Sequence, residues 1–173
     1  MAAGQIVVGG LPIPDDRPIF LAVLAVHVGA ASVCVVAGAL AASARKRPGR
    51  HPRAGTVYYW ALACSFTALV TLAVLRWPHD VDLLAIGAVA TLSAAVGVFA
   101  RRRGRIRVHG TGMAVSYIAL LTGFYVDNGP NLPLWSLLPH ALYWLLPAVI
   151  GVPLLVRALR RAGRPSRSSS IVD

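Results

Sequence analysis

The sequence predicts an all-α protein, a bundle of five transmembrane helices with its N-terminus outside and its C-terminus in the cytoplasm. Of the 173 residues, 57% are hydrophobic and only 13% are charged, which is about half the charge of an average soluble domain. Polar breaks divide the apolar sequence into five runs, and a bilayer core needs about 20 residues per helix. The predicted spans, which together form a bundle over 19–160, are 19–44, 54–75, 81–100, 109–126 and 134–159.

The positive charges predict the orientation of these spans. Fifteen of the 17 Lys and Arg residues lie in three groups of five, where spans one, three and five end. Arg17 and Arg76 lie on the other side, with five of the six aspartates. Because cytoplasmic loops carry an excess of Lys and Arg, residues 1–18 are predicted to be a short extracytoplasmic segment. The Ser-rich residues 161–173 are predicted to be a disordered cytoplasmic tail.

Composition bears on the compartment and the partners. Glutamate is absent, and one lysine stands against 16 arginines, a pattern that we interpret as that of a high-GC bacterial genome. The expected location is therefore the bacterial inner membrane, as a multi-pass protein whose partner is the lipid bilayer. The net charge of +11 would favour nucleic acid on a folded surface, but these cations separate apolar runs, so no nucleic-acid partner is predicted.

Local signals mark where the spans begin and end. Pro18 follows two aspartates, and both features suit the start of a helix. Pro78 ends span two, and Asp80 is predicted to cap span three. The turn residues 127–130 end span four, and span five is predicted to begin near Leu134.

Four of the five histidines are candidate cofactor ligands. His27 lies about nine residues into span one and His140 about six residues into span five, both from the outer face, so a similar depth is predicted. His51 and His109 lie at the cytoplasmic mouths of spans two and four. Two imidazoles from facing helices are a usual way to hold b-type haem. The sequence thus predicts an outer pair, His27 with His140, and an inner pair, His51 with His109, in a haem- or quinone-linked redox protein.

The same residues have ordinary interpretations. His51 and His109 lie where interfacial polar groups cost little, whereas an ionisable group as deep as His27 indicates a functional role. Cys34 and Cys64 lie inside apolar runs and are interpreted as small core residues, with a thiol pair as the alternative. No spacing of metal-ligating residues is diagnostic of a metal site.

The alternative to a redox protein is a non-enzymatic membrane subunit, or a small transporter-like or assembly protein without a cofactor. Transporters favour broken helices and polar groups near the midplane. Candidate breaks in spans four and five are Gly123, Pro147, Gly151 and Pro153.

An internal echo links spans two and four. Each enters from a basic loop with a histidine, then a glycine, then a tyrosine. The two sets are His51, Gly55, Tyr58 and His109, Gly112, Tyr117. Their spacings differ, so the echo is interpreted only as the trace of a repeat.

The chain also resembles a family of bacterial predicted membrane proteins, that of domain of unknown function 2306. The resemblance covers roughly residues 19–151 and rests on His27 and three short runs, 50–58 (RHPRAGTVY), 105–109 (RIRVH) and 116–121 (SYIALL). It implies a transmembrane bundle in which a His-Arg pair opens the second and fourth spans. Here Pro52 and Gly110 follow the histidines instead. The two levels of paired histidines are also similar to those of cytochrome b561-type bundles.

Overall fold

The computed structural model describes residues 6–8, 11–13, 15–45 and 48–162. Apart from two three-residue strands, the fold is all-helical. The strands β1 (Ile6–Val8) and β2 (Leu11–Ile13) form an antiparallel pair with Ile6 opposite Ile13. The helices are α1 (Pro18–Ser43), α2 (Arg50–Leu75), α3 (Val81–Arg102), α4 (Ile106–Asn128) and α5 (His140–Ala162).

Two helical hairpins, α1 with α2 and α3 with α4, make the most extensive contacts of the bundle, and α5 packs on α4. Short connections explain this pairing, because neighbouring helices joined by a few residues pack antiparallel. Gly49 and Gly104 have positive φ angles of 119° and 71° in the connections from α1 to α2 and from α3 to α4, a conformation that glycine adopts without steric cost.

Helix α4 is the central helix of the bundle. Every residue from His109 to Gly123 is buried or half-buried, whereas α1 and α5 leave much of their surface exposed. Four of the helices, α1, α2, α3 and α5, are long and apolar enough to cross a membrane, as an integral membrane protein requires. Helix α4 has the length to do so at 23 residues, but carries more polar side chains. Its neighbours cover the polar side chains between His109 and Thr122, so this part of α4 depends less on an apolar surface.

The start of α5 differs from the prediction. The helix begins at His140 rather than near Leu134, because residues 129–131 and 135–137 form two separate 3₁₀ turns. Proline disfavours helix in the residue before it, and Pro133 and Pro139 keep this segment out of the helix. Helices α4 and α5 run without interruption through the candidate break positions, which is tolerated where neighbouring groups satisfy the backbone.

The bundle has two ends of opposite charge. The aspartate end holds the described carboxylates, Asp15, Asp16, Asp80, Asp82 and Asp127. The arginine end holds the connections from α1 to α2 and from α3 to α4, and the C-terminal end of α5. The predicted tail from residue 163 onward, and its predicted disorder, lie outside the described residues.

Candidate functional site

His27 is fixed in place by a bond between the two helices of the first hairpin. Its Nδ1 atom lies 2.9 Å from the carbonyl oxygen of Ser65 on α2, and 3.2 Å from the hydroxyl oxygen of the same residue. Ser65 is buried and His27 is half-buried. The pair therefore holds the imidazole against α2, two and a half turns from the start of α1.

The bond to Ser65 sets the tautomer of the ring. A carbonyl oxygen only accepts, so Nδ1 of His27 carries the hydrogen and donates it. In the neutral ring Nε2 then keeps a lone pair. Within the described part of the chain, no hydrogen bond is made by Nε2 of His27. A histidine that ligates a metal uses this arrangement, with the second nitrogen donating to a backbone carbonyl.

Charged groups gather at the aspartate end of the bundle. Arg76 Nη1 donates to Asp80 at 2.8 and 3.1 Å, and this ion pair replaces the predicted capping of α3 by Asp80, whose side chain makes no cap bond. Asp127 on α4 lies within electrostatic range of His27, Asp80 and Arg76. Of these groups, Asp127 is the one with an electrostatic interaction with the His27 imidazole.

A second ion pair at this end lies just before α1. Asp15 accepts hydrogen bonds from the Arg17 side chain at 2.8 and 3.0 Å and from its backbone N–H at 2.9 Å. These bonds from Arg17 lower the pKa of the Asp15 carboxyl below its ordinary value. Asp15 therefore stays ionised at neutral pH and orders the entry to α1.

His51 and His109 each close one hairpin near the arginine end. Nδ1 of His51 lies 2.8 Å from the carbonyl oxygen of Ala41 on α1. Nδ1 of His109 lies 2.9 Å from the carbonyl oxygen of Gly97 on α3. In both hairpins a histidine near the start of the second helix donates to a carbonyl near the end of the first. These two hydrogen bonds, here named the histidine clasps, are equivalent in the two hairpins. They explain why a histidine opens both α2 and α4, and they give both histidines a role in packing.

His140 is the first residue of α5 and is exposed, whereas His27 lies nine residues into α1, or about 13 Å along the axis. The predicted position of His140, six residues into span five, is wrong because the segment before it is not part of the helix. The pairing of His27 with His140 at a similar depth stays a prediction. The ring of His140 contacts Tyr143 edge-on at 5.5 Å between centroids.

A buried hydroxyl pair joins the two hairpins at the centre. The hydroxyl oxygens of Tyr58 on α2 and Ser116 on α4 lie 2.7 Å apart, and both residues are fully buried. Tyr117 donates to the carbonyl oxygen of Val35 on α1 at 3.0 Å. This polar core was not predicted from the sequence. The pattern that could have indicated it is the position of Tyr58 and Ser116, each of which lies seven residues after a clasp histidine.

The two cysteines have different surroundings. Cys34 is buried, and its Sγ lies 3.7 Å from the carbonyl oxygen of Tyr58. Cys64 is exposed. Both are free thiols. The interpretation as a core residue is confirmed for Cys34, which is buried, and is wrong for Cys64, which lies on the outer face of α2.

Two surface grooves are lined almost wholly by aliphatic side chains. One lies between α3 and α4 and the other between α1 and α2, and the lining of these two includes no histidine. Among the described residues, no group of three or more His, Cys, Asp or Glu side chains is placed to hold a metal ion. The candidate site is therefore His27 with Ser65 and Asp127, and the assignment of His27, His140, His51 and His109 to a cofactor stays a prediction.

Comparison of the chain with protein-family models, with curated proteins and with solved structures finds no match. The resemblance to the domain of unknown function 2306 therefore stays a prediction, and any function rests on the geometry of the chain itself.

Proposed function

We propose that this chain is an integral membrane redox protein that holds a b-type haem through Nε2 of His27. The observation that carries the proposal is the bond from Nδ1 of His27 to the Ser65 carbonyl oxygen at 2.9 Å. It fixes the ring and leaves the lone pair on the nitrogen that an iron would use.

The end of the bundle nearer to His27 carries residues that would suit such a group. Arg76 lies at the aspartate end, where its guanidinium could meet a haem propionate as well as Asp80, since arginine binds carboxylates through several N–H groups. Haem supplies one-electron chemistry when bound. The chain's own residues hold the imidazole and set its tautomer, and the Asp127 carboxylate lies within electrostatic range of it.

The inner pair of histidines contributes to this proposal only as packing groups. His51 and His109 each use Nδ1 to close a hairpin. Their role as a second cofactor site, and that of His140 as the partner of His27, remain separate predictions. A lipid-soluble quinone is the natural exchange partner for a membrane haem, because it too lies in the bilayer.

The test is the visible absorption spectrum of the detergent-purified full chain, expressed with haem available. The oxidised protein should show a Soret band that sharpens and shifts on dithionite reduction, and pyridine extraction should identify haem b at about one per chain. A folded, helical sample with a flat visible spectrum and no extractable haem would refute the proposal.

A second candidate is a membrane subunit without a cofactor. The observation that favours it is the aliphatic lining of the two grooves together with the packing roles of His51 and His109. This candidate predicts a colourless protein whose His27→Ala variant has an unchanged set of co-purifying membrane partners.

A further inference from the structure

The connection between α3 and α4 is the most concentrated positive patch of the described chain. The patch comprises residues 101–107, that is, the connection with the last two residues of α3 and the first two of α4. It is here named the arginine turn, and five of its seven residues are arginine. Gly104, with a φ angle of 71°, reverses the chain, and the N–H of Arg105 returns to the carbonyl oxygen of Ala100 at 2.9 Å. The tight turn forces the five cations into one small surface, and all five are exposed. They are Arg101, Arg102, Arg103, Arg105 and Arg107.

None of the described carboxylates lies beside the arginine turn to balance its positive charge. The carboxylates of the described residues lie at the opposite end of the bundle, and both ion pairs found among those residues, Asp15 with Arg17 and Arg76 with Asp80, are there as well. Cations held this close repel one another, so an external anion that binds several of them lowers the free energy of the folded turn.

Arg103 is already held in a position suited to such an anion. Its guanidinium carbon lies 4.1 Å from the centre of the Phe99 ring, a cation–π contact. Phe99 is 54% exposed on the outer surface of α3. The stacked guanidinium keeps its N–H edge available, and arginine pairs with phosphate through that edge in two parallel hydrogen bonds.

Apolar side chains alternate with the arginines. Ile106 is 61% exposed and Val108 is 43% exposed, one on each side of Arg107. A phospholipid has acyl chains below its phosphate that can pack against these aliphatic side chains, whereas the phosphate backbone of a nucleic acid makes no such apolar contact. The ends of membrane helices lie at headgroup level, where anionic lipids attract clustered Lys and Arg.

We propose that the arginine turn is a binding site for the phosphate headgroup of an anionic phospholipid. The headgroup phosphate contacts the guanidinium groups of Arg103 and its neighbours, and the lipid chains contact Ile106 and Phe99. This inference needs only that the helices lie in a membrane, and it is independent of the haem proposal.

The test is a titration of the full-length chain, purified in a neutral detergent, with micelles containing phosphatidylglycerol or, in parallel, phosphatidylcholine. Thermal unfolding followed by tryptophan fluorescence is the readout. Phosphatidylglycerol should raise the unfolding temperature by several degrees more than phosphatidylcholine does. Equal shifts with the two lipids would overturn the proposal.

Variants assign the effect to the turn. Replacing all five arginines by glutamine should weaken the apparent affinity for phosphatidylglycerol at least fivefold. Replacement by lysine keeps the charge but loses the paired hydrogen bonds, so it should give a smaller loss, and it serves as the assay variant if the glutamine protein does not fold. Arg17→Gln, at the opposite end, is the matched control and should bind as the unmodified chain does. An unchanged affinity in both five-residue variants would contradict the assignment.

Inorganic phosphate distinguishes the lipid from a free anion. Phosphate at millimolar concentration should give a much smaller stabilisation than phosphatidylglycerol and should not displace it. A phosphate effect as large as that of the lipid would show that the turn binds a soluble anion, and would refute the lipid as its ligand.

Discussion

The hydroxyl oxygens of Tyr58 and Ser116 lie 2.7 Å apart at the point where the two helical hairpins meet. Both side chains are fully buried, so neither hydroxyl can exchange its partner for water. The bond joins helices whose pairing residues are 58 positions apart in the chain, and it therefore fixes the register of one hairpin against the other.

Removing this bond should weaken the association of the hairpins. We expect Tyr58→Phe to lower the free energy of unfolding by about 1 kcal/mol, because it leaves the Ser116 hydroxyl without its partner. Unfolding in a denaturing detergent, followed by circular dichroism, measures the change. Tyr59→Phe is the control, since the Tyr59 hydroxyl makes no hydrogen bond among the described residues. Equal losses from the two variants would argue against the pair, and a double variant with Ser116→Ala tests the coupling.

Helices α3 and α4 pack closely at Gly112. A Cβ atom there would lie 2.7 Å from the carbonyl oxygen of Ser93 and 3.0 Å from the Cα of Gly97. Both are backbone atoms and cannot move aside without separating the helices. Gly112→Ala should therefore lower the unfolding free energy by about 1–3 kcal/mol.

Gly110 is the matched control for this substitution. It lies on the same helix, but a Cβ added there would meet nothing within 4 Å. Gly110→Ala should leave stability unchanged or raise it slightly through helix propensity. Thermal unfolding of both variants decides the point, and a Gly112→Ala protein as stable as the Gly110→Ala protein would contradict the packing described.

The two histidine clasps should behave alike. We expect His51→Ala and His109→Ala each to destabilise the fold by about 1 kcal/mol, since each removes a hydrogen bond between the two helices of a hairpin. His79→Ala provides the control, because His79 is exposed and bonds only within its own turn. A loss of cofactor absorbance in these two variants without a loss of unfolding free energy would show instead that His51 and His109 form a ligand site.

The Asp15 carboxyl should titrate below its ordinary pKa of 3.8. Arg17 stabilises the ionised form, so the contact contributes to folding above the ordinary pKa and is lost as the pH falls through the lower, folded-state pKa. Carbon-13 NMR of labelled aspartate measures this directly. Arg17→Gln should move the pKa of Asp15 back towards 3.8, and an unmoved value in that variant would exclude Arg17 as the cause.

The sequence allowed the helices to be predicted because each apolar run is bounded by charge or proline. The predicted bounds of spans one to three lie within a few residues of α1 to α3. The predicted start of span five, near Leu134, was six residues too early. It gave more weight to the apolar residues of this segment than to Pro133 and Pro139, which disfavour helix before them. The strand pair at the N-terminus was missed because three-residue strands leave no periodic pattern.

The site was predictable only in part. The depth of His27 in an apolar run marked it as a candidate, and the structure adds the partner, Ser65, that fixes its ring. That partner lies 38 residues away, and so does not appear in any local pattern. The pairing of His51 with Ala41 and of His109 with Gly97 likewise depends on how each hairpin packs, although the echo in the sequence pointed to equivalent positions.

The most direct test of the proposed function is the reduced-minus-oxidised spectrum of the His27→Gly variant, recorded with and without added imidazole. The account predicts that the variant loses the haem difference bands of the unmodified chain, that imidazole restores them, and that His79→Ala keeps them throughout. Haem difference bands of full intensity in His27→Gly without imidazole would contradict the assignment of His27 as the ligand.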